Sequence, residues 1–129
     1  MKDLFNQITE LHITPISVII TLQANQSGGV QLEVKNWTAL VHVIGTINSS
    51  IREKQTDAGT QIDFSLNASL KDSLAFKEPC ILKITVATGD AYLVGDSDLP
   101  IFYQCDHSAF VTKLTIDHQS WHYPYKIII

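Results

Sequence analysis

Gln61-Ile62-Asp63-Phe64-Ser65-Leu66-Asn67-Ala68-Ser69-Leu70 alternates polar and apolar side chains without a break. Successive residues of a strand point to opposite faces, so this rhythm gives one dry side, Ile62 to Leu70, and one wet side, Gln61 to Ser69. A helix would smear both sets around its axis, because its period is 3.6 residues. The segment therefore reads as an antiparallel strand, the kind of strand that tolerates one solvated face. Asp57-Ala58-Gly59 before it reads as the turn that starts it.

The same rhythm extends in both directions. Upstream, Ile16, Val18, Ile20 and Leu22 alternate with Ser17, Ile19, Thr21 and Gln23, which predicts a strand with a dry and a wetter side. Asn25-Gln26-Ser27-Gly28-Gly29 supplies residues that tolerate a tight turn, and Val30, Leu32 and Val34 alternate beyond it, so the pair reads as a hairpin. Residues 39–51 are rich in Val, Ile and Thr, with His42 and Thr46 breaking the apolar set. Downstream, Leu82, Ile84 and Val86 lead through a Thr88-Gly89-Asp90 turn to Tyr92, Leu93 and Val94. Strands are expected again near 101–104, 110–116 and 121–128. Only the first ten residues break the pattern. Asp3 stands where a helix cap would, and Leu4, Phe5, Ile8 and Leu11 recur at three- and four-residue spacing. They predict one short N-terminal helix, ended before Pro15.

The fold class is therefore all-β, an antiparallel sandwich or partly closed barrel over one domain, residues 1–129. The chain's 45% hydrophobic and 17% charged residues suit a globular protein. Its net charge of −4 is spread along the chain, and no Lys or Arg has a basic neighbour, so no nucleic-acid partner is expected. The apolar stretches are far shorter than the roughly 20 residues of a membrane helix, so no membrane partner is expected either. Nothing after Met1 reads as a secretory signal, which makes a cytoplasmic protein with reduced Cys80 and Cys105 the expectation.

The residues that carry chemistry elsewhere do not assemble into a motif here. His118 and His122 are four apart, the spacing of helical zinc ligands, but Gln119 stands where those motifs need Glu. On an extended strand the two rings would sit roughly 13 Å apart, too far to share an ion. Asp90, Asp96 and Asp98 lack the spacing of a calcium loop and read as turn residues. Cys105 is followed by Asp106 and His107, but neighbours on a strand face opposite ways. Ser27 sits in a turn, not at a strand-to-helix elbow. No catalytic residue, metal ligand or cofactor is therefore assigned, and an enzyme is not expected. The aromatic tail Trp121-His122-Tyr123-Pro124-Tyr125 is different. Trp121, Tyr123 and Tyr125 would share a strand face continued by Ile127 and Ile129, a face that suits either the core or a protein contact.

Three stretches resemble a loose family of small proteins encoded in the phage or prophage structural regions of gut bacteria. The first is Glu53-Lys54-Gln55-Thr56-Asp57-Ala58-Gly59-Thr60-Gln61-Ile62 running into Phe64-Ser65-Leu66. The second is Ile84-Thr85-Val86-Ala87-Thr88-Gly89-Asp90-Ala91-Tyr92-Leu93-Val94-Gly95, with Pro100 beyond. The third is Leu114-Thr115-Ile116-Asp117 followed by Pro124-Tyr125. The chain departs from that pattern between Pro100 and Leu114, where Cys105-Asp106-His107-Ser108 replaces a longer glycine-containing loop. The resemblance covers about half the chain and brings no catalytic residues with it. It implies a virion or tail component that assembles with its own copies and with neighbouring virion proteins.

On this reading the chain is a structural or assembly protein. Its candidate contact residues are Trp37, Trp121, Tyr123 and Tyr125, with the 53–60 turn as an arm. The alternative is a small barrel that holds an apolar molecule in a cavity lined by Phe64, Leu66, Ile84 and Trp121.

Overall fold

The computed structural model describes residues 8–24, 29–43, 46–71, 79–95, 100–107 and 112–128. Within them lie eleven strands: β1 (Ile8–Pro15), β2 (Ile19–Ala24), β3 (Gly29–Val34), β4 (Thr38–Leu40), β5 (Asn48–Thr56), β6 (Gly59–Leu70), β7 (Cys80–Val86), β8 (Ala91–Val94), β9 (Tyr103–His107), β10 (Thr112–Ser120) and β11 (Tyr125–Ile128). They form a seven-stranded sheet in the order β2-β3-β11-β8-β7-β1-β4 and a four-stranded sheet in the order β5-β6-β10-β9. The architecture is an all-β sandwich, and neither sheet closes into a barrel.

The alternating segment forms most of β6, the spine of the smaller sheet. β6 pairs antiparallel with β5 on one side and β10 on the other, Phe64 lying opposite Ile51 and His118, and Leu66 opposite Ile116. Ile62, Phe64, Leu66, Ala68 and Leu70 are all buried, while the intervening residues reach the surface. Their apolar side meets Leu11, Ile13, Leu82, Ile84 and Val94 of the larger sheet, and these residues make the main core. Each fully buried Leu or Ile contributes about 2 kcal/mol by leaving water.

Positive φ is required at two hairpin turns. Gly59, at φ +127°, closes the β5–β6 hairpin, and Gly89, at φ +92°, closes β7–β8. The Gly89 amide donates to the Val86 carbonyl at 2.9 Å. An added Cβ would meet nothing at either position, so backbone conformation alone demands glycine there.

The expected N-terminal helix is corrected over residues 8–15. These form β1, which pairs antiparallel with β7 and with β4. The register slips between Ile8 and Glu10, so Thr9 is the extra residue of a β-bulge. The bulge puts Ile8, Leu11 and Ile13 against the same core although Ile8 and Leu11 are three apart, a spacing that imitates a helical face. Asp3, Leu4 and Phe5 lie outside the described residues.

A second bulge corrects the next strand. Pro15 leads into a 3₁₀ turn at Ile16–Val18, and β2 starts only at Ile19. Ile19 pairs with Val34 and Thr21 with Glu33, which leaves Ile20 as the inserted residue. The side chains packed inward are thus Ile19 and Leu22, while Ile20 is 59% exposed. The hairpin with β3 forms as expected; Asn25 to Gly28 of its turn lie outside the described residues.

Residues 39–51 do not make one strand. β4 ends at Leu40, the chain crosses between sheets where His42 bridges Leu70, and β5 begins at Asn48. The larger sheet also has apolar side chains on both faces. On the face away from the main core, Val30, Ile81 and Leu93 are buried by partly covered neighbours from β2, β3 and β11, with Trp37 and Ile16 joining them. Among the described strands one pairing is parallel, β11 against β3.

Candidate functional site

The aromatic tail does not lie along one strand face. The chain bends at 121–122 and β11 starts at Tyr125, so the tail passes from one sheet to the other. Trp121 is left 57% exposed. Tyr123 packs against the main core, and Tyr125 and Ile127 pack against the second cluster together with Trp37. The four candidate contact residues are therefore dispersed. Ile129 lies outside the described residues.

Tyr123 has a second role. Its hydroxyl donates to the Glu53 carboxylate, joining the tail to the hairpin formed by β5 and β6. Ile62, opposite Glu53, is the last core residue of that hairpin, and residues 52–55 of β5 are all exposed. Its tip is tied internally, the Thr56 hydroxyl donating to the Gly59 carbonyl at 2.8 Å. The expected arm at 53–60 is thus a β-hairpin with an aromatic tether at its base.

His118, Ser120 and His122 line one small crevice with Ile62, Phe64, Val94 and Pro124. Its interior, about 10 Å³, admits one water molecule at most. His122 Nδ1 lies 2.8 Å from the Tyr123 carbonyl, and its ring stacks on Tyr125 at 4.1 Å between centroids. No group of three or more His, Cys, Asp or Glu among the described residues is placed to hold a metal ion. Asp90 forms an ion pair with Lys126 at 3.5 Å; Asp96 and Asp98 lie outside the described residues. Cys80 is fully buried, its thiol donating to the Ile101 carbonyl at 3.7 Å, and burial pushes its pKa up to about 12. That raised pKa removes the thiolate that nucleophilic chemistry needs.

The residues that would line an apolar cavity do not enclose one. Phe64, Leu66 and Ile84 are buried side chains of the packed core, and Trp121 is at the surface.

On the outer face of the larger sheet, His12 of β1 lies opposite Lys83 of β7. The Lys83 ammonium sits 4.8 Å from the centre of the Trp37 ring. Burial lowers the His12 pKa, the Lys83 charge lowers it further, and Glu10 opposes both. His12 Nδ1 is buried with no hydrogen-bond partner among the described residues. Trp37 thus covers the Lys83 ammonium beside His12, a contact its sequence context did not disclose.

Among the described residues four large apolar side chains are exposed: Ile20, Val41, Phe102 and Trp121. Only Trp121 was legible in the sequence as a contact residue. Ile20 and Val41 flank the larger sheet, one on outer strand β2 and the other just past outer strand β4. Phe102 and Trp121 flank the smaller sheet, Phe102 just before β9 and Trp121 just after β10. Ile101 is buried and Tyr103 packs on the core, so Phe102 between them points outward. His118, Ser120 and His122 share the inner crevice, so Trp121 likewise points outward.

No protein-family model, curated protein or solved structure matches this chain.

Proposed function

We propose that this protein is a non-enzymatic assembly subunit of phage virion or tail type, working through contacts with its own copies and with neighbouring virion proteins. The observation that carries the reading is the pair of exposed apolar residues at opposite edges of one sheet. Ile20 is 59% exposed at the β2 edge and Val41 is 51% exposed beside the β4 edge. Contact between the β2 edge of one copy and the β4 edge of the next joins two different patches. Such a head-to-tail interface closes into a ring or extends as a filament. The bulge at Ile20 twists the strand edge, so this contact falls to side chains and not to a continued backbone ladder. The phage-type part of the reading is supported by the resemblance carried by residues 53–66, 84–95 and 114–125.

Sedimentation equilibrium over a rising concentration series tests the reading. The expected result is a mass that grows in multiples of the chain, with Ile20→Lys and Val41→Lys each returning it to the monomer. A strict monomer at high concentration, together with no retention by neighbouring virion proteins, would overturn it.

A further inference from the structure

We propose that the outer face of the four-stranded sheet binds a neutral oligosaccharide, with Trp121 and Phe102 as stacking platforms. The proposal goes beyond assembly and concerns a different surface. Pleating sends one residue in two from each of the four strands to this face. The face holds no aliphatic side chain at these strand positions, which are all polar, and the two aromatics adjoin it at the strand ends. Asn67 lies opposite Asn48 and Thr115, Ser65 opposite Ser50 and Asp117, and Asp63 opposite Gln119. Thr115 in turn lies opposite Gln104.

The composition selects the occupant. A protein partner needs an apolar centre poor in Ser, Lys and Asp, and this surface is rich in them. A nucleic acid or other polyanion needs net positive charge. Here Arg52, Lys54 and Lys113 are balanced by Asp63, Asp106 and Asp117, and Arg52 faces Asp63 directly across the β5–β6 ladder. What remains is an uncharged ligand with many hydroxyls and a flat C–H face, which describes a pyranose chain. Each sugar hydroxyl donates one hydrogen bond and accepts two, and Asn, Gln, Asp and Arg side chains offer paired atoms to meet adjacent hydroxyls. The exposed rings take the C–H faces; Phe102 is 66% and Trp121 57% exposed.

The spacing favours a chain over a single sugar. Phe102 adjoins Tyr103, which pairs with Ile116, so it falls in line with Asp117, four residues before Trp121 on the neighbouring strand. Extended spacing therefore puts their backbone positions on the order of 14 Å apart, at the ends of the polar rows. Strands hold the polar rows in fixed positions, so little ordering of those rows is left for the ligand to impose.

Affinity electrophoresis through gels containing neutral polysaccharides (β-glucan, xylan, galactomannan) tests the proposal, with heparin as the charged control. The expected result is retardation by at least one neutral polymer and none by heparin. Trp121→Ala and Phe102→Ala should each weaken the interaction about tenfold. Both residues are exposed, so the variants keep the fold, which circular dichroism checks. Titration of the same polymer should also change the fluorescence of Trp121, and Trp121→Phe should remove that change while keeping much of the binding. Ile20→Lys and Val41→Lys should bind like the parent, which separates this test from that of assembly. No retardation across the neutral panel, retardation by heparin alone, or unchanged binding in the Trp121→Ala/Phe102→Ala double variant would overturn it.

Discussion

Cys80 and His12 show how burial sets chemistry one residue at a time. The Cys80 thiol is sealed at the start of β7, and its protonated form is favoured because a thiolate would lose its hydration there. Cys105 is partly exposed, although burial also raises its pKa. A disulfide-exchange reagent should therefore label one thiol per native chain and the second only on unfolding, a count that absorbance reads directly. His12 gives a dependence on acid. Its pKa in the fold lies below the ordinary 6.5, so the unfolded chain takes up a proton first as the pH drops. The contribution of His12 to stability is thus full above pH 6.5 and declines below it, and His12→Gln should flatten that part of the slope in denaturation midpoints measured at successive pH values. Gly89 carries backbone strain for any other residue. Gly89→Val should cost about 1–2 kcal/mol, because a β-branched side chain resists φ +92° even where space is open.

The strands differ in how much each depends on its neighbours. β6 is paired on both sides and buries its entire apolar side, so Leu66→Ala should destabilise by about 3 kcal/mol in urea titration. Past the Glu53–Ile62 pair the hairpin buries no apolar side chain, and at that pair it carries the tie from Tyr123 to Glu53. Tyr123→Phe should leave global stability within about 1 kcal/mol of the parent, since one exposed hydrogen bond is worth little more. Amide exchange in the hairpin should rise while that of β6 at Phe64 to Leu70 stays slow, because local opening is governed by local contacts. The two bulges act at this scale too. One inserted residue, Thr9, holds Ile8 on the core side, and another, Ile20, sends an apolar side chain into solvent.

At the scale of the whole molecule the chain passes repeatedly between the two sheets. β1 lies between β7 and β4, and β11 closes between β3 and β8, so most of the pairing joins distant parts of the sequence. Such topologies fold slowly, since loop closure precedes the gain from contacts, and refolding is expected in milliseconds to seconds by stopped-flow fluorescence. The larger sheet buries apolar groups on both faces, which concentrates the remaining exposed apolar groups at Ile20, Val41, Phe102 and Trp121. These sit at the sheet edges and on the smaller sheet's outer face, the surfaces assigned above to assembly and to a neutral glycan.

A two-residue rhythm is a local property, so the sequence by itself determined the all-β class, the strand character of β6 and the turns at Gly59 and Gly89. It also placed Ile62 to Leu70 in the interior, because pleating converts alternation directly into sides. Register between distant strands is not local. Whether Ile8 to Leu11 coil or pair depends on β7, some 70 residues away, and a single bulged residue reverses the face that alternation assigns. Only the tertiary structure could therefore decide that β1 is a strand, that Ile20 is exposed and that Trp37 and Tyr125 are half-covered. The candidate surfaces follow from those decisions, since exposure is settled by what the rest of the chain covers.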